Sequence, residues 1–151
     1  MAGNARQRNQ VSRCVMTSEA GQAPPDTEAT LELRDGYLFA RLVPGFEITP
    51  ERMNRLWKQL GEACEHHHVR HVLTEGTVIG RRMTTMDSFE NAAAAARLAP
   101  GLAMACFVQG HVPDQQTDFF KIAAMSHGVR VDFFAKREEA LRWLGIRPPA
   151  T

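Results

Sequence analysis

The run from Leu102 to Val108 holds seven apolar residues in unbroken succession. It is far shorter than the ~20 residues a membrane helix needs. Pro100 and Gly101 break the chain before it, and the stretch Gly110 to Pro113 breaks it again afterwards. A short, bounded, continuously apolar run is what a strand buried on both faces looks like. Such a strand needs packed layers on either side of its sheet, and this requirement points to an α/β fold with this strand at its centre.

The rest of the chain supplies compatible elements. Glu28 to Arg34 alternates, with Ala29, Leu31 and Leu33 on one side, and Tyr37 to Val43 resumes the alternation. Asp35-Gly36 between them is a strong hairpin signal, so the domain is expected to open with an antiparallel hairpin. Thr49, Pro50 and Glu51 read as cap, first helical position and first-turn acid. The helix they start carries Met53, Leu56, Trp57, Leu60, Ala63 and Cys64 on one stripe and runs to about His66. Arg70 to Glu75 reads as a short strand and Gly76 to Arg82 as a loop. Thr84 and Asp87 have capping-box spacing and open a second helix through Phe89 and Ala92 to Ala96. Asp114 is the cap expected for a third helix, which carries Phe119, Ile122, Ala123 and Met125 and stops at His127-Gly128. Val129, Val131 and Phe133 alternate as a last strand. Glu138, Glu139, Arg142 and Gly145 then delimit a closing helix, whose Trp143 and Leu144 are expected to be buried against the sheet.

The resulting order, β-β-α-β-α-β-α-β-α, calls for a largely parallel sheet with an antiparallel N-terminal hairpin edge. A length of 151 residues suits a single domain. Its expected limits are residues 28–146, between a polar tail of residues 1–27 and a short C-terminal tail of residues 147–151. Arg6, Arg8 and Arg13 fall in the first tail, and Met16 is an alternative start.

A net charge of +1 argues against nucleic acid as a partner. No apolar run is long enough for a membrane span, and no secretory leader is apparent. Cys14, Cys64 and Cys106 are odd in number and form no CxxC pair, so a reducing cytoplasm is expected rather than a disulfide framework. His66, His67, His68 and His71 cluster in sequence. Adjacent residues point apart, however, and a solvated helix end explains them without a metal. No GxGxxG, GxSxG or HExxH is present, and Gly76-x-x-x-Gly80 with Arg81 and Arg82 lacks the Lys-Ser/Thr ending of a phosphate loop. Neither a cofactor nor a catalytic group is expected.

The closing unit, Gly128 to Phe134 followed by Glu138-Glu139-Ala140-Leu141-Arg142-Trp143-Leu144, resembles the end of SpoIIAA-like proteins, which have the STAS fold. Asp118 to Ala124 is similar to the third helix of that family. The resemblance spans about Glu28 to Ile146 in architecture and is specific near the C-terminus. It implies a small, non-enzymatic, usually bacterial domain that binds a partner protein, a nucleotide or a hydrophobic ligand. Antagonist members carry a phosphorylatable hydroxyl in an Asp-Ser-Ser-Gly-like motif. Here the matching region reads Met83-Thr84-Thr85-Met86-Asp87-Ser88-Phe89, with hydroxyls but without that glycine or the Asp-Ser order.

A ligand-binding site is therefore expected around Thr74, Glu75, Arg81, Arg82, Thr84, Thr85 and Ser88. Ligands gather beyond the carboxyl ends of parallel strands, and a helix N-terminus beside two guanidiniums suits an anion. The function expected is a STAS-like binding or regulatory domain for a small anionic or hydrophobic ligand or a partner protein, with self-association compatible. The other readings are an enzyme or stress-response accessory protein with an unrecognised site, and a histidine-based metal binder.

Overall fold

The computed structural model of the chain describes residues 27–147. The expectations for residues 1–26 and 148–151, Cys14 and the Met16 start among them, lie outside the described residues. The elements run β1 (Ala29–Arg34), β2 (Tyr37–Leu42), β3 (Phe46–Ile48), α1 (Pro50–His67), β4 (His71–Arg81), α2 (Thr85–Leu98), β5 (Ala103–Gln109), α3 (Gln115–Ser126), β6 (Arg130–Phe133) and α4 (Arg137–Trp143). The sheet order is β1-β2-β4-β5-β6, with β3 also on β4. β1 and β2 are antiparallel and the other pairs are parallel. The fold is thus a single small α/β domain with the alternating order expected and one short strand more.

Local chemistry accounts for the element starts. Arg34 lies opposite Tyr37, so Asp35 and Gly36 form a two-residue turn, and Gly36 supplies the positive φ of +86°. Thr49 Oγ1 accepts the Arg52 N–H at 3.2 Å and caps α1. Thr84 with Asp87, and Asp114 with Thr117, form reciprocal capping boxes at α2 and α3.

One reading is corrected. Gly76 to Arg82 is not a loop, because β4 continues through Arg81. Its first half pairs with β2 and its second half with β3. The two glycines read as breaks, yet Thr77, Val78 and Ile79 between them are β-branched and favour the extended chain. Gly76 marks the handover from one partner strand to the other. It has φ +141°, and a Cβ there would lie 2.9 Å from Leu42 Cβ.

The two faces of the sheet are covered unequally. Leu38, Val72, Met104 and Val131 meet α1, α2 and α3 in the main core, which includes Trp57, Leu60, Ala92, Ala95 and Ala124. On the other face Phe39, Leu73 and Ala105 meet, among the described residues, only α4, through Ala140, Leu141 and Leu144. Leu102 to Cys106 is buried throughout, with Met104 and Cys106 in one core and Ala103 and Ala105 in the other. Leu144 is buried as expected, but Trp143 is half-buried. Its ring packs on Phe134 at 5.6 Å, and Arg130 covers it at 4.8 Å. Leu33, read on one side of the hairpin with Ala29 and Leu31, is 48% exposed, whereas Ala29 at the other end of the strand is fully buried.

Candidate functional site

The residues expected to form the site do not all meet. Thr74 and Glu75 are consecutive in β4 and so point to opposite faces. Thr74 is in register with Ala40 and Cys106 on the main-core face, where its buried hydroxyl has no hydrogen-bond partner. Glu75 is buried on the other face. Its carboxylate accepts two bonds from Arg137, the Nη2 one at 2.9 Å, and has Arg41 at 3.9 Å. This pair ties α4 to the sheet.

Arg81, Arg82, Thr84, Thr85 and Ser88 do gather at the carboxyl end of the sheet. Arg81 forks onto Asp114 at 3.0 and 2.7 Å, and Arg82 onto Glu47 at 2.8 and 3.1 Å. Each guanidinium therefore already has a carboxylate in the geometry that an anion would take. The Thr84 hydroxyl accepts from Asp87 N, Ser88 is buried and accepts from Gln116 Nε2 at 2.8 Å, and Thr85 is exposed at the start of α2. An anion entering here has to displace Asp114 or Glu47.

Asp114 joins two strands of that network, since it also caps α3 through Thr117 N at 3.0 Å. The Arg81 bonds first, and the Thr117 N–H second, hold its carboxyl well below the usual carboxylate range. A carboxylate lowered in the folded state adds stability that is complete above its unfolded pKa and lost as pH falls through the folded value. The Asp114 contribution is thus present at neutral pH and begins to fade below about pH 4. Solvent screens the pair, because the Asp114 side chain is 48% exposed. Asp114→Ala is accordingly expected to lower stability by about 1–2 kcal/mol, mostly through the lost cap. Urea melts at pH 7 and pH 3 check this: the variant's deficit should shrink at pH 3, and an equal deficit at both would contradict the carboxylate's role.

Beneath this rim lies a hollow of about 60 Å³ lined by Ile48, Met53, Met83, Phe120 and Phe133, with His111 and Asn91 at its polar edge. Trp57 Nε1 donates to Asn91 Oδ1 at 2.8 Å, and Asn91 donates on to Asn54. His111 Nε2 lies 3.2 Å from Thr117 Oγ1, and burial pushes its pKa down. Ligand pockets usually measure roughly 300–1,000 Å³, so the hollow takes at most a small apolar group.

A larger cleft of about 530 Å³ opens at the other end of the sheet, among Gly61, Cys64, His68, Arg70 and Leu98. Burial pushes the Cys64 thiol up to about 11 and the Cys106 thiol to about 12, so neither is an activated nucleophile. The His66 and His67 rings meet edge-on at 4.7 Å. Among the described residues, no three His, Cys, Asp or Glu side chains stand together to hold a metal ion.

A group of exposed apolar side chains on α2 and α3 was not foreseen from the sequence. Met86 and Phe89 on α2, with Phe119, Ile122 and Met125 on α3, are 63%, 44%, 39%, 61% and 60% exposed. The two helices pack side by side, and the Phe89 and Phe119 rings lie 6.1 Å apart. Phe119, Ile122 and Met125 are residues the third helix was expected to carry, but they do not enter the core. On α3 that place belongs instead to Thr117, Phe120, Ala123 and Ala124. The signal was there to find: Phe119, Ile122 and Met125 form a second stripe, so α3 is apolar on two sides. The chain matches no known protein-family model and no curated protein.

Proposed function

We propose that this chain is a non-enzymatic, STAS-like binding domain that docks a partner protein on the α2–α3 face. The carrying observation is the cluster of large exposed apolar side chains shared by those two helices. Scattered apolar residues on a surface need no explanation, whereas a contiguous group marks an interaction site. A small anion is the weaker candidate, because Arg81 and Arg82 are already matched by Asp114 and Glu47. The antiparallel hairpin edge, the parallel remainder and the closing strand-helix unit support the STAS-like part of the reading.

A photo-crosslinking residue placed at Ile122 or Met86 tests it. Irradiation of cells is expected to give protein adducts at both positions and none at Lys58, an exposed residue on α1. A small-molecule adduct at Ile122, seen by intact mass, would favour a hydrophobic ligand instead. Adducts at Lys58 alone would end the assignment of the face.

A further inference from the structure

We infer that the partner of the α2–α3 face is a second copy of this chain, packed about a two-fold axis that lies in the interface and crosses the two helices at right angles. The inference rests on the docking reading above and adds the identity of the occupant.

Area is the first argument. The five exposed side chains on this face leave on the order of 400–500 Å² of apolar surface, given aromatic side chains of roughly 150–250 Å² each. Two copies face to face then cover on the order of 800–1,000 Å² of apolar surface. A polar rim brings the contact into the ~1,200–2,000 Å² range of specific interfaces. A two-fold contact uses the same patch twice, so one surface suffices for both partners.

Charge is the second argument. α2 and α3 each connect neighbouring parallel strands, so both return against the strand direction and run the same way. Asp118 therefore lies toward the N-terminal end of the face, Glu90 near its middle and Arg97 at its C-terminal end, all three exposed. A two-fold axis near Ala93 and Ile122 inverts this gradient. It brings Arg97 of each copy close to Glu90 of the other and opposes the helix dipoles. The face is self-complementary in that orientation. Two acids at the rim also suit it poorly to an anionic membrane, which recruits Lys and Arg.

The test is sedimentation equilibrium on the full chain from micromolar to millimolar concentration. The expected result is a reversible dimer. Ile122→Glu puts a charge at the centre of the face without touching the core, and should weaken association by roughly tenfold or more. Arg97→Glu should weaken it too, and adding Glu90→Arg to Arg97→Glu should restore it. Circular dichroism confirms that each variant is folded.

A dimer indifferent to Ile122→Glu would overturn the inference, because another face would then be in use. A parent chain that stays monomeric would overturn it as well, and the crosslink at Ile122 then separates the two readings. An adduct with a different protein leaves the docking face standing and removes the second copy. No adduct, or cosedimentation of the monomer with phosphatidylglycerol vesicles, removes both.

Discussion

Trp57→Ala is expected to cost about 4–6 kcal/mol, combining the loss of a large buried aromatic with an orphaned polar partner. Trp57 is completely buried. Its ring lies parallel to Phe120 at 6.1 Å, so it joins α1 to α3. Its indole N–H donates to Asn91 on α2 at 2.8 Å, so the same side chain holds all three helices of the main core. Truncation leaves a cavity and strips the buried Asn91 Oδ1 of its donor, against a total stability of about 5–15 kcal/mol for a domain of this kind. Trp57→Phe keeps most of the volume and strips only the N–H, and should cost about 1–2 kcal/mol. Urea unfolding followed by circular dichroism resolves the two. A loss below about 2 kcal/mol for the alanine variant would show that the helices do not depend on this anchor.

Gly61→Ala is expected to destabilise by about 2–4 kcal/mol, although alanine in a helix interior ordinarily gains up to about 1 kcal/mol over glycine. The reversal of sign comes from the approach of α1 to α2. A Cβ at Gly61 would lie 2.0 Å from the Leu98 carbonyl oxygen and 2.9 Å from its carbon. Both are backbone atoms, so no rotamer can relieve the contact and the helices must separate. Separation loosens Leu60 and Trp57 on the same helix. Thermal melts of the variant would detect the effect as a lower melting temperature. An unchanged or higher melting temperature would mean that α2 ends in a more pliable way than its geometry indicates.

Much of the fold was legible in the sequence, because most signals were local. Asp35-Gly36, Thr49-Pro50, the Thr84–Asp87 spacing and Asp114 each act within a few residues, and each lies where the sequence put it. The apolar run from Leu102 carried its own evidence of burial on both faces. β3 was missed because three residues, Phe46–Ile48, are too few to show a period. The second half of β4 was missed because Gly76 and Gly80 look like breaks, while its partner strand lies some thirty residues away. The candidate site was less legible still. Arg81 and Arg82 read as free cations because nothing local reveals that Asp114 and Glu47 reach them. Likewise, a stripe of Phe119, Ile122 and Met125 does not say by itself whether it faces inward.

The unequal covering of the sheet has a kinetic consequence. α4 is seven residues long and, among the described residues, the one helix on its face. Its hold consists mainly of Ala140, Leu141 and Leu144, the Arg137–Glu75 clamp, and Trp143 between Phe134 and Arg130. Local openings tend to follow such thinly supported units. Amide protons of α4 should therefore exchange through a sub-global opening that leaves α1, α2 and the β4–β5 pair protected. Such an opening would bare Phe39, Leu73 and Ala105 together, giving this domain a second, transient apolar surface on the side of the sheet opposite α2 and α3.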